Sequence, residues 1–308
     1  GKPYLDKVVY KIMGEAAPRD LAFKAKELDA TIVGAVNYPE YKADPEISKN
    51  MIEVAEMFTR LIGFNPDFKP FSDKRVRQAI CHAIPADLII EKFLKGKAFP
   101  ARGYLPTTSP AFNPKIKKYD YNPEKAMQLM KEAGYENGFE VEQAIGTANF
   151  SWGTGIYEAT LPYLKNLGIT LKIQQREGAA MAERVRQADF QMVIWSLDSG
   201  PDPLEVLSRW KSDNPPAAGN YVKYNNAEFD KLLDKAAATR DKDEKIGYIK
   251  QAEEIFVEDA PLWFFNYNKA ILAHQPWVHG LAAVAPEMMF QDMTSVWIDE
   301  TSPRANMK

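Results

Sequence analysis

The chain has 308 residues, 45% of them hydrophobic and 26% charged, which is enough for about two domains with a sizeable core in each. Its net charge of -3 argues against a nucleic-acid partner, because neutralising phosphates takes a basic excess. No apolar run reaches the roughly 20 residues that span a bilayer. One cysteine excludes an internal disulfide framework, and three histidines without an HxxxH pair argue against metal chemistry.

The opening "GKPYLDKVVY" has no basic n-region, apolar h-region or initiator Met, so the reading is a trimmed or truncated chain whose signal peptide lay elsewhere. Within it "KVVYKIM" (7–13) is β-branched and predicts a strand. A helix is predicted over "APRDLAFKAKEL", then a short buried strand in "DATIVGAV" and another in "MFTRLIGFN". The prolines of "NPDFKPF" remove backbone donors and predict an extended linker or hinge. Ser72 is the expected cap of the helix "DKRVRQAICHAI", with Val76, Ala79, Ile80 and Ala83 on its apolar face. Cys81 on this helix has apolar neighbours and reads as a buried, inert thiol.

Pro85 separates that helix from "ADLIIEKFLKG", and the Pro-rich stretch 98–123 reads as a long surface loop. "NPEKAMQLMKEAG" is a helix capped by Asn122 and stopped by Gly134. Next come the strand "GFEVEQAIG", the loop "TANFSWGTG", the helix "IYEATLPYLKNLG", the strand "ITLKIQQ", the helix "AAMAERVRQA" and the strand "FQMVIW". That alternation implies an α/β sheet with helical crossovers. Beyond the turn "SLDSGPDP" the chain predicts a helix in "PLEVLSRW", two amphipathic helices over 226–260, and a pair of short aromatic strands in "PLWFFNYNKAILA".

"PFSDKRVRQAICHAI" is similar to a "PFxDxRVRQAxxxAIDR" signature, and "YNPEKAMQLMKEAGY" followed by "GFE" to a "DPEKAKxLLxEAGYPxGF" phrase. "LKNLGITLKI", "ADFQMVIWSLDSGPDP", "NYVKYNNAEFDKLLDKA" and "YIKQAEEIFVEDAP" follow in order. Together they resemble the extracytoplasmic solute-binding proteins of ABC transporters, in the oligopeptide/dipeptide/nickel-binding class. Pro85-Ala86 departs from the family's Asp-Arg, and the family's N-terminal portion has no counterpart. The resemblance implies an α/β, periplasmic-binding-protein-like two-lobe fold. Residues 1–69 and 270–308 would be part of lobe I and 70–269 lobe II, with "NPDFKPF" and "FFNYN" as hinge strands.

The resemblance also implies an extracytoplasmic, monomeric protein without a cofactor, which captures a peptide or sugar in a cleft and delivers it to a membrane permease. Half of that cleft would lie in the missing portion, so weak binding by this chain alone is expected. Trp195 and Asp198 would line the cleft, Asp198 receiving an α-ammonium; the bland alternative is a buried Trp and a turn cap. Trp152 is a ligand-stacking or structural aromatic, Asn220 a ligand contact or a turn former, and Arg184 or its rival Arg186 a partner for a ligand carboxylate or a solvated cation. Relatives that carry an arginine just before the Trp differ from Met192-Val193-Ile194 here, which puts that carboxylate pairing in doubt. A hydrolase using Asp198 and Asp202 as acid and base competes, but no G-x-S-x-G, HExxH, P-loop or GxGxxG motif supports an enzyme, and Asp202 reads as a turn cap. A sensor or chaperone on the same scaffold is the remaining alternative.

Overall fold

The computed structural model describes residues 3–13, 16–147, 152–284 and 291–303. The chain divides into two units: Gly1–Glu56 with Leu94–Phe99 and Asn268–Lys308, and Met57–Phe93 with Pro100–Tyr267. In chain order the first unit contributes α1 (Ala16–Lys24), β1 (Ala30–Ile32), α2 (Tyr38–Ala43) and α3 (Pro45–Ser48). The long strand β2 (Met51–Phe64) then carries the chain into the second unit. There follow α4 (Lys69–Ser72), α5 (Lys74–Ala83), α6 (Ala86–Lys92), β3 (Ala98–Pro100), α7 (Pro123–Glu132), β4 (Phe139–Thr147) and α8 (Trp152–Lys165). Next are β5 (Ile169–Arg176), α9 (Gly178–Arg186), β6 (Met192–Asp198), α10 (Pro203–Ser208), α11 (Ala227–Ala238) and α12 (Lys242–Asp259). A second long strand, β7 (Leu262–His274), leads back to the first unit, which ends with β8 (Val278–His279) and β9 (Trp297–Ile298).

In the first unit β1 pairs antiparallel with the end of β7, Ile32 opposite Leu272. Phe23, Val33, Tyr41, Ile271 and Ala273 form its core, with the Phe23 and Tyr41 rings stacked at 5.8 Å. Asp44 starts α3 by accepting the amides of Glu46 and Ile47, the local hydrogen bonding that an N-cap carboxylate supplies. Residues 7–13, expected as a strand, are not one: Val9 is 65% and Ile12 99% exposed. A β-branched run becomes a strand only where a neighbour takes its amides and carbonyls, and none of the described strands pairs with it.

In the second unit β5, β4 and β6 run parallel and β2 lies antiparallel beside β6. The connections β4–α8–β5 and β5–α9–β6 are the helical crossovers that a parallel pair requires. Val76, Ala79, Ile80 and Ala83 are all buried, as the apolar period of α5 predicts. The cap of that helix is Asp73, which accepts the Arg75 amide, rather than Ser72, whose hydroxyl donates to the Lys69 carbonyl. "NPDFKPF" is not extended throughout: Pro70 sits in the first turn of α4, where a missing amide costs nothing. "PLWFFNYNKAILA" is one strand, not two, because Asn266-Tyr267-Asn268 contains no residue that forces a reversal.

Candidate functional site

Because β4, β5 and β6 are parallel, their C-terminal residues Thr147, Arg176 and Asp198 lie along one edge of the sheet. In open α/β sheets that edge is where ligands bind. Helix α8 starts there. A Cβ on Gly153 would fall 2.3 Å from the Thr147 carbonyl oxygen, and one on Gly146 2.5 Å from the Gly153 carbonyl oxygen and 3.0 Å from Ile194 Cγ2. Only glycine at both positions lets the first turn of α8 seat on the end of β4 and against β6. Trp152, the first residue of α8, is thereby held at this edge, although its side chain lies outside the described residues.

The register of β6 on β2 decides which side chains share a face. Trp195 is opposite Leu61, Ser196 opposite Arg60, and Asp198 opposite Phe58. Directly opposed residues point the same way and successive residues alternate. Trp195, half-buried, therefore leaves the sheet on one face, while Asp198, exposed at the strand tip, leaves it on the other with Ser196, Arg60 and Ile194. A Cβ on Gly146 would meet both the Gly153 carbonyl oxygen and Ile194 Cγ2, so the first turn of α8 lies over that second face.

The backbone that carries Asp198 is clamped. The Tyr104 hydroxyl donates to the Asp198 carbonyl at 2.9 Å, and the Ser199 amide donates to the Met57 carbonyl at 2.6 Å. Buried Ser199 shares a hydrogen bond with Thr59 Oγ1 at 2.9 Å, and that hydroxyl donates to the Tyr104 carbonyl at 2.8 Å. The Tyr104 ring stacks on Phe264 at 5.7 Å. Asp198 Oδ1 accepts the Gly200 amide at 2.6 Å, the Asx turn expected of a residue before Ser-Gly-Pro, which engages one of its two oxygens. Asp202 accepts the Leu204 amide and caps α10.

Other candidate side chains are engaged within the fold. Arg184 pairs with Asp189 at 2.9 Å and donates to Gln174 Oε1 at 3.2 Å; Arg186 pairs with Glu183. Asn220 is 2% exposed, and its amide donates to the Lys211 and Tyr224 carbonyls while accepting the Tyr224 amide, which braces the loop before α11. Cys81 is fully buried, and burial pushes its thiol well above the ordinary range, as an inert thiol requires. Trp263 to Tyr267 of "WFFNYN" are buried, Trp263 and Phe265 packing on each other at 5.4 Å. The second unit also holds a cavity of about 390 Å³ lined by Leu88, Tyr119, Tyr121, Tyr163 and Trp263 among others; none of Arg184, Trp195, Asp198 and Asn220 lines it.

Sequence reading missed Tyr104 and Arg60. Tyr104 lies in an aperiodic stretch with no local signal. Arg60, a cation inside an apolar strand, was visible as an oddity, but its face could be known only from the register.

The family model for bacterial extracellular solute-binding proteins, family 5, matches residues 1–218. The chain is 31% identical over 267 residues to heme-binding protein A of Haemophilus influenzae, covering 85% of this chain and 48% of that one. It is 30% identical over 289 residues to the oligopeptide-binding protein AppA of Bacillus subtilis, covering 87% and 51%. The fold matches the ABC transporter-associated periplasmic binding protein DppA of Helicobacter pylori, solved with the peptide STSA, at a TM-score of 0.77 and 26% identity over 97% of this chain and 58% of that one. The chain thus spans about half the length of the curated relatives it matches. Among the described residues no helix is long and apolar enough to cross a membrane. With the family model covering well over half of its residues, the chain belongs to the bacterial extracellular solute-binding proteins of family 5.

Proposed function

We propose that this chain is part of the substrate-binding component of an ABC importer, outside the cytoplasm, and that it captures a short peptide and passes it to a membrane permease. The observation that carries this reading is the exposed Asp198 carboxylate on a clamped strand tip at the C-terminal end of the parallel strands. A fixed carboxylate suits an α-ammonium because its hydrogen bonds are charge-assisted and its orientation is set before the ligand arrives. Trp152 begins α8 at the same end of the sheet, and Trp195 leaves β6 on the face opposite Asp198. In this reading residues 70–269 form lobe II, most of them in the unit Met57–Phe93 with Pro100–Tyr267, and residues 1–69 and 270–308 form part of lobe I. The protein works as a monomer and holds its ligand without chemistry.

Relatives named for oligopeptides, and a solved relative holding a peptide, support a peptide over a sugar. The test is a thermal-shift screen of short peptides, amino acids, oligosaccharides and heme, repeated with Asp198→Asn. A ligand bound only by the folded state raises Tm by mass action. The reading expects a peptide shift that collapses in the variant. A sugar or heme shift that survives the substitution overturns it.

A further inference from the structure

The cavity of about 390 Å³ in the second unit lies between the start of α6, the loop 118–121, the C-terminal half of α8 and the start of β7. Small-molecule pockets span roughly 300–1,000 Å³, so it is large enough for one. It is well away from the strand tip that carries Asp198. The Phe64 amide donates to the Pro261 carbonyl just before β7 starts, and Phe64 is opposite Met192, the first residue of β6. The length of β6, about 20 Å, separates that end of the sheet from Asp198. Tyr163 likewise lies about 16 Å along α8 from Trp152.

We infer that this cavity is a second ligand site, and that it takes a free aromatic amino acid. Its walls are aromatic and already held in place. The Tyr119 hydroxyl donates to the Val257 carbonyl at 3.0 Å and its ring meets His82 edge-on at 5.0 Å. Tyr121 and Tyr163 meet edge to face at 5.9 Å, and buried Trp263 packs on Phe265. Walls fixed before the ligand arrives lose little freedom when a ring enters. Four charged residues line the same cavity: Asp87, Arg102, Lys118 and Asp120. Lys118 and Asp87 pair with each other. Arg102 is exposed, and its guanidinium spends one donor on the Ile116 carbonyl at 3.2 Å, which leaves four of its five. Asp120 is exposed too; its main-chain carbonyl accepts from His82, and its carboxylate has no ion-pair partner among the described residues. One cation and one anion are thus left over beside an aromatic pocket. They match a carboxylate and an ammonium carried on one small molecule, each held by charge-assisted hydrogen bonds. A ligand with a single charge would leave the other group unanswered.

The probes are L-tryptophan, indole-3-propionate, which lacks the ammonium, and tryptamine, which lacks the carboxylate, each titrated by NMR. The proteins are the unaltered chain, Arg102→Gln, Arg102→Lys, Asp120→Asn, Leu88→Trp and Asp198→Asn, with the fold of each checked by circular dichroism. L-tryptophan should shift amides at 119–121 and 262–264 and bind tenfold or more tighter than either analogue. Arg102→Gln should erase its advantage over tryptamine, and Arg102→Lys should keep part of it. Asp120→Asn should erase its advantage over indole-3-propionate. Leu88 is 42% exposed at the cavity, so the larger ring of Leu88→Trp is accommodated by the fold and should weaken all three probes. Asp198→Asn should change none of them, because the site does not depend on the strand tip. If the unaltered chain binds no probe, or if Arg102→Gln and Asp120→Asn bind L-tryptophan as the unaltered chain does, the inference is overturned. It is overturned as well if the shifts fall at 196–200 and vanish in Asp198→Asn, since the amino acid would then occupy the site proposed for peptides.

Discussion

Glu253 is a carboxyl group almost without water: it is 1% exposed, its Oε1 accepts the Leu105 amide at 2.8 Å, and its Oε2 has no hydrogen-bond partner. Burial raises its pKa from 4.5 to about 8, so the folded state holds a proton there at neutral pH. Between those values the native chain binds more protons than the unfolded one, and linkage makes stability fall as pH rises. The contribution is complete below about 4.5 and is lost as pH climbs through about 8. Glu253→Gln, neutral at every pH, should flatten that decline in urea unfolding followed from pH 5 to 8.5; an unchanged slope would show that the carboxyl group is hydrated. Because Glu253 and Tyr104 hold the same loop, the acid lies one step behind the clamp on Asp198. At the exposed tip, Asp198→Asn should move apo stability by no more than about 0.5 kcal/mol while abolishing the peptide-dependent Tm shift. That separates a binding role from a turn-forming one, since asparagine also makes the turn.

At the scale of elements, the seating of α8 on β4 depends on two glycines whose added methyl groups would meet backbone. Gly153→Ala should cost about 1–3 kcal/mol, because the atom in the way is the Thr147 carbonyl oxygen and cannot swing aside. Gly247, inside α12 with nothing within 4 Å of its missing Cβ, is the matched control: Gly247→Ala should stabilise by about 0.5–1 kcal/mol. Chemical denaturation of both variants checks the pair, and a neutral Gly153→Ala would mean that α8 is held elsewhere. Tyr104→Phe keeps the ring packing on Phe264 and removes only the hydrogen bond to Asp198, so about 1 kcal/mol is expected, together with faster amide exchange at Ser199 and Gly200.

At the scale of the molecule, the two units differ in how they are built. The first assembles short helices and the ends of strands, and leaves Leu21 and Val36 largely exposed; the second buries Leu61 and Ile62 of β2, Met192, Val193 and Ile194 of β6, and an aromatic interior of Trp210, Tyr221, Phe229 and Phe256. Sub-global opening follows buried apolar contact. Native-state hydrogen exchange should therefore find Val33 and Ile271 opening at lower free energy than Leu61 and Ile62, which are paired in the β2–β6 ladder or its neighbourhood. Equal opening energies for both groups would show one cooperative unit.

The sequence alone determined what depends on near neighbours. The apolar stripe of α5, the Asn122 cap and the alternation of strands and helices are local patterns, and the motif phrases carried the family with them. Tertiary structure decided whatever depends on a partner far along the chain. Residues 7–13 have strand composition but no strand to pair with; β7 runs through where two short strands were expected; Asp198 and Trp195, three residues apart, point to opposite faces. Arg60 meets Ser196 across 136 positions of chain, and Tyr104 meets Asp198 across 94. Helical periodicity is written within a few residues, whereas register, and with it the face on which a charge emerges, is fixed only when two distant segments pair.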